Sequence, residues 1–145
     1  LIIPDANLFL YAYNQRSPQF VAAARWFEVT LSGDVEVGIP FQSILAFLRI
    51  ATNPNLVSFA ISMPRALDIV DVWLDQSEVR LIHPGPAHWS IYRRLCLHAA
   101  IGARLTTDAH LATLAIEHDA TLMTVDADFA RFPGLRWHNP LAHNS

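Results

Sequence analysis

Four aspartates stand where carboxylates can act together. Asp5 ends the apolar run of "LIIPDAN", Asp108 stands near the start of "TTDAHLATLAIEHDA", and Asp126 and Asp128 follow the apolar "TLMTV". Taken singly, an aspartate at a helix start caps the helix or meets its dipole, and one after a strand closes a turn. Several at one rim repel each other and need protons or a cation to be tolerated. With oxygen donors only, that cation is a hard one, Mg2+ or Mn2+. Such an ion polarises a phosphoryl oxygen and lowers the pKa of bound water, so the chemistry implied is metal-assisted hydrolysis of a phosphodiester.

The elements that must position these acids are legible from periodicity and punctuation. "LIIPD" reads as a short buried strand, followed by the helix "ANLFLYAY". "SPQFVAAARWFEVTLSG" predicts a helix with Ser17 as cap, Pro18 in first position and Gly33 closing it. "VEVGIP" alternates as a strand, and "FQSILAFLRIATNP" is a helix stopped at Asn53-Pro54. "SMPRALDIVDVWLDQ" is a helix with a solvated acidic face of Asp68, Asp71 and Asp75. Then follow the strand "VRLIHP", the helices "PAHWSIYRRLCLHAA" and "TDAHLATLAIEHDA", the strand "TLMTVD" and a final edge strand "LRWHNP". Strands alternating with helices mean βαβ units and a parallel sheet covered on both faces, an α/β fold in one domain over residues 1–145.

In such sheets, sites form outside the carboxyl ends of the strands. Asp5 and Asp126 share that rim if their strands are parallel, and a helix begun by Asp108 starts there too. At 3.6 residues per turn Asp108 lies in line with Ala112 and Ala115, toward the packed side, while His110, Thr113 and Glu117 make a polar face.

Composition removes many alternatives. The chain has 145 residues, 52% hydrophobic and 16% charged, which suits a folded core. Its net charge of −3 does not suit a generally basic nucleic-acid coat. All ten basic residues are arginine, so lysine-dependent P-loop, Schiff-base and kinase chemistries are excluded. No glycine-rich dinucleotide motif or nucleophile elbow is present. The single Cys96 excludes an internal disulfide framework and any Cys-rich zinc site, and a reducing cytoplasm is the expected compartment. No membrane span and no signal peptide are expected.

"LIIPDANLFLYAY", "FLRIATNP" and "LTTDAHLATLAIEHDATLMTVDADFARFPGLRW" together resemble the PIN-domain ribonucleases, and among them the VapC-type toxins of bacterial toxin–antitoxin pairs. The resemblance covers nearly the whole chain. It implies a three-layer α/β/α fold with a central, mostly parallel sheet, Mg2+-dependent cleavage of RNA, frequent homodimers, and a small VapB-type antitoxin that blocks the site. It also implies that Asp5, Asp108 and Asp126 are catalytic metal-binding acids, with Asp128 close by. One departure matters: the family usually has "EFLR" where this chain reads Ala46-Phe47-Leu48-Arg49, so Ala46 stands in place of an acid. A stripe of Gln42, Ala46, Arg49 and Asn53 on one helix face, opposite Ile44, Leu45, Leu48 and Ala51, supports that alignment. Three carboxylates remain to hold one Mg2+, with Asp128 or Gln42 as substitutes.

Other residues have weaker claims. Asn7, Thr107 and Thr124 flank the acids and can orient a carboxylate or water, or simply bond locally. Arg49, Arg104 and Arg131 fit phosphate contacts, or serve solubility. His110 and His118 read as helix-surface residues, and the four tryptophans as core packing rather than a base-stacking platform. A catalytically weakened PIN domain that binds RNA or antitoxin with little cleavage is the alternative kept open by Ala46. An aspartate phosphoacceptor domain is disfavoured, since receivers need a lysine and the phosphohydrolase pattern wants D-x-D where this chain has Asp5-Ala6-Asn7.

Overall fold

The computed structural model describes residues 1–58 and 60–142. Five strands, β1 (Ile2–Pro4), β2 (Val37–Pro40), β3 (Val79–Ile82), β4 (Thr121–Met123) and β5 (Trp137–His138), form one sheet in the order β3-β2-β1-β4-β5. Every neighbouring pair is parallel. Among the described residues six α-helices surround it: α1 (Ala6–Tyr13), α2 (Phe20–Leu31), α3 (Phe41–Ala51), α4 (Met63–Leu74), α5 (His88–His98) and α6 (Thr106–Glu117).

The alternation of strand side chains divides the core in two. Val37, Ile39 and Met123 pack with Leu8, Phe9, Phe27, Phe47 and Trp73 beneath α1–α4. Ile3, Ile82 and Leu122 pack with Leu95, Ala112, Ala115 and Phe129 beneath α5 and α6. The result is the expected three layers. The first core is aromatic: the Trp73 ring stacks on Phe9 with centroids 4.3 Å apart, and its indole N–H donates to the Tyr13 hydroxyl at 3.0 Å. Gly38, within β2, leaves no room for a side chain, since a Cβ there would sit 2.9 Å from the Ile82 side chain.

The strand order places a switch point at the sheet centre. The chain winds from β1 outward to β2 and β3, then crosses back to β4 on the other side of β1. In open parallel sheets the crevice at such a reversal, beyond the carboxyl ends of the strands, is where ligands bind. Here the two switch strands are β1 and β4, paired from Ile2 opposite Thr121 to Pro4 opposite Met123.

Three local expectations change. Helix α2 starts at Phe20, not Pro18. The Ser17 hydroxyl oxygen accepts the Gln19 N–H at 3.1 Å and closes a side-chain turn ahead of the helix, a local competitor to the cap. On α3 the buried face is Ser43, Ile44, Phe47 and Ala51, while Leu45 is exposed, because the sheet meets this helix about one residue round from the face chosen by apolarity. Trp89 does not belong to the core: it projects from α5 with 70% of its surface open, whereas Trp73 is fully buried. No helix among the described residues is long and apolar enough to cross a membrane.

Candidate active site

Asp5 is the first residue beyond β1. Its N–H donates to the Met123 carbonyl at 2.9 Å, which ties it to the end of β4. It occupies the cap position of α1 in extended backbone but makes no cap hydrogen bond with its side chain. Its Oδ2 accepts instead from the Thr124 hydroxyl at 2.9 Å. Thr124 is completely buried, and its Oγ1 also accepts the N–H of Asp126 at 3.1 Å. One threonine therefore fixes the first acid by its side chain and the second by its backbone. Asp126 in turn accepts the Asp128 N–H at 2.9 Å and starts the short 3-10 helix Ala127–Arg131.

Asp108 enters from the opposite layer, half-buried in the first turn of α6. Its carboxyl is raised above the ordinary aspartate value by burial and by the charges of Asp5, Asp126 and Asp128, with Arg104 opposing. Asp5 is raised too, by burial first and by Asp126, against the Thr124 hydroxyl and the amides of Ala6 and Asn7. Asp108 thus feels the other three acids across a common space at the switch point, and the exposed Arg104 guanidinium opposes them. Asp128 is the outermost: exposed, with the Arg131 guanidinium 3.9 Å from its Oδ1. As they stand, no three His, Cys, Asp or Glu side chains among the described residues converge closely enough to grip a metal.

The weaker candidates separate. Thr124 is bonded to the acids. Asn7, Gln42, Arg49 and Thr107 are exposed and make no side-chain hydrogen bond with them. Ala46 is half-buried on α3. A cavity of about 440 Å3 lined by Leu10, Tyr13, Phe20, Phe47, Ile61 and Ile69 shares no residue with the acids.

The polar face of α6 is packed rather than open. Thr113 is fully buried and donates to the Ala109 carbonyl at 2.6 Å. His110 is not a surface residue: its Nδ1 lies 2.9 Å from His88 Nε2, and His88 Nδ1 lies 3.0 Å from Glu117 Oε1. With Glu117 ionised, His88 carries its proton on Nδ1 and accepts from His110. Burial pushes the Glu117 carboxyl up, but the Gly85 amide and His88 outweigh it and leave it below its ordinary value. Burial, and then His88, lower His110. Gly85 must be glycine here, since a Cβ would fall 2.7 Å from Glu117 Oε2. This chain of side chains clamps α5 to α6. His118 is likewise engaged, with its Nε2 2.8 Å from the His83 carbonyl oxygen.

Residues 2–135 match the PIN domain family. Ribonuclease VapC37 of Mycobacterium tuberculosis (strain ATCC 25618 / H37Rv) is 41% identical over 97% of this chain and 97% of its own length. Ribonuclease VapC33 of the same strain is 38% identical over 97% and 99%. In three dimensions the chain is similar to VapBC2 from Rickettsia felis, solved bound to a DNA fragment from its promoter, with a TM-score of 0.69, 20% identity, and coverage of 95% of this chain and 97% of that one.

Proposed function

The chain belongs to the PIN-domain family, and from that premise we propose that it is a VapC-type, Mg2+-dependent endoribonuclease, the toxin of a toxin–antitoxin pair. The observation that carries the reading is the Asp5–Thr124–Asp126 unit at the β1/β4 switch point, faced by Asp108. A buried carboxylate with like charges around it is a costly arrangement that a hard cation relieves. The fit is one of charge and donor type: Asp5, Asp108 and Asp126, with Asp128 at the edge, would hold Mg2+ or Mn2+. When bound, the ion supplies polarisation of a phosphoryl oxygen and acidification of water.

The chain's own residues do the rest. Thr124 holds Asp5 through one carboxylate oxygen, Oδ2, and so fixes the direction of the carboxyl. Asp126 spends one oxygen on the Asp128 amide and presents the other. Arg104, beside Asp108, meets a phosphate arriving at the rim. The VapBC2 assembly and the ribonuclease names of the relatives support an RNA substrate and a VapB-type antitoxin partner.

The test is cleavage of structured cellular RNAs by purified protein free of antitoxin, with Mg2+, Mn2+ or EDTA. Discrete, metal-dependent cuts are the expected outcome. Folded protein that makes none supports the second reading, a weakened PIN domain that binds without cutting, which Ala46 favours. Two variants probe the site further. Thr124→Val strands the Asp5 carboxylate and the Asp126 N–H, and losses of such orienting partners run to about 10- to 100-fold in metal affinity or activity. Cleavage that persists at the wild-type rate would remove Thr124 from the machinery. Ala46→Glu adds a carboxylate, and it is expected to lower the Mg2+ concentration for half-maximal cleavage about tenfold, because ligand charge count tunes affinity over decades. An unchanged Mg2+ titration would show that position 46 does not face the metal.

A further inference from the structure

The charges of this chain are segregated. From Val79 to Thr107 there is no acidic residue, but there are four arginines and three histidines. All thirteen acids and the other six arginines lie outside that stretch, in a chain of net charge −3. The stretch comprises β3, α5 and the turn into α6. Arg80, Arg93, Arg94 and Arg104 are all exposed, and none makes an ion pair or side-chain hydrogen bond among the described residues. Unpaired guanidiniums concentrated in one acid-free stretch, in an acidic protein, suit a polyanion.

Helix α5, which bears the exposed Arg93 and Arg94, also carries an open aromatic ring. Trp89 is 70% exposed, the most exposed large hydrophobic residue described. It is not loose: it stacks on Tyr92 with centroids 5.9 Å apart and planes 28° from parallel, and Tyr92 lies parallel to His88. The Tyr92 hydroxyl donates to the Thr106 carbonyl at 3.1 Å, at the start of α6 and two residues before Asp108. The aromatic row is therefore anchored to the element that presents an acid of the candidate site. Arg104 stands in the 3-10 turn Ala103–Leu105 that leads directly into α6, four residues before Asp108.

We propose that this basic, aromatic face is a binding site for single-stranded RNA beside the acidic cluster, with a base stacked on the outer face of Trp89 and the backbone held by Arg93, Arg94 and Arg104. The proposal rests on the ribonuclease reading and assigns it a substrate path. Stacking on an aromatic ring is tolerant of sequence, and it requires bases that are not already paired. A second copy of this chain could also cover Trp89 and the neighbouring exposed Leu97. A twofold contact through this face would, however, crowd two sets of Arg93 and Arg94 into one interface to which residues 79–107 bring no acidic partner, a like-charge crowding that RNA avoids.

The test is binding in EDTA, where no cleavage occurs. A fluorescein-labelled single-stranded RNA of roughly 12 nucleotides and its duplex are titrated with wild type, Trp89→Ala, Trp89→Phe and Arg93→Ala/Arg94→Ala over a salt series, with circular dichroism to confirm folding. Trp89→Ala is expected to weaken single-strand binding about tenfold, with Trp89→Phe retaining most of it. The double arginine variant should reduce the salt slope by about 1.4, from about 0.7 per lost phosphate contact. The duplex should bind more weakly than the single strand. Equal binding by wild type and Trp89→Ala overturns the proposal, as does a Trp89→Ala protein that sediments as monomer where the wild type is a dimer and still binds RNA unchanged. If wild type cuts RNA with Mg2+ while Trp89→Ala binds and cuts equally, only this inference falls. If folded wild type neither binds nor cuts, the ribonuclease reading falls and takes the inference with it.

Discussion

Asp5→Asn is expected to lower metal-dependent RNA cleavage by at least about 1000-fold and, at the same time, to raise the thermal stability of the metal-free protein at neutral pH. The first half follows from charge. Loss of one preorganised electrostatic group in an active site costs about 100- to 1000-fold, and this substitution removes a whole negative charge from the place where a cation must be held. The second half follows from burial. Asp5 sits under a raised pKa because desolvation and Asp126 disfavour its ionised form. Asparagine keeps the shape and still accepts the Thr124 hydroxyl through its carbonyl oxygen, while relieving that penalty. A merely structural aspartate would behave in the opposite way, with stability falling and cleavage following it. Cleavage at the wild-type rate by the folded variant would remove Asp5 from the chemistry. Parallel melting curves show whether the two effects have opposite signs, as a functional acid held at a cost requires.

How far the sequence could be read depends on the range of the interaction. Strand alternation and the β-α rhythm are local, and they suffice to place Asp5 and Asp126 at one rim once the strands are parallel. Thr124 was legible as a flanking hydroxyl because it stands two residues before Asp126. The clamp between α5 and α6 was not legible. His88 and Glu117 are separated by 29 positions, and each lies on a helix whose polar face looks solvated on its own. Periodicity shows that a face is polar, but not that a second polar face will pack against it. Trp89 fails for the converse reason: a large aromatic ring in a helix is ordinarily core, and only the tertiary arrangement shows α5 turning it outward. The missing acid at Ala46 is visible only beside the family pattern, since an alanine in a helix has no signature of what it replaces.

The remaining large effect is in pH. Cleavage at limiting Mg2+ is expected to fall as pH drops, approaching about 100-fold per pH unit below both raised pKa values, because a cation held by Asp5 and Asp108 must displace two protons. Both acids titrate above their ordinary value of 3.8, so the decline starts at higher pH than unperturbed aspartates would give. Asp108→Asn should halve the logarithmic slope in its residual activity, and a slope unchanged in that variant would mean that Asp108 is not in the proton count. Stability of the metal-free protein runs the other way. The folded chain binds protons at these two acids more tightly than the unfolded chain does, so their contribution is greatest at acid pH and is lost as pH rises through the folded pKa values. Glu117 opposes this, since its lowered pKa gives stability above its unfolded value that is lost as pH falls through the folded one. Its share cancels when wild type is compared with Asp5→Asn at each pH. Mg2+ adds stability only to the ionised site, by mass action, so the gap between melting temperatures with and without the ion should widen as pH rises. In Asp5→Asn the gap should nearly close. A gap of constant width across pH, equal in the two proteins, would place the ion somewhere other than at these aspartates.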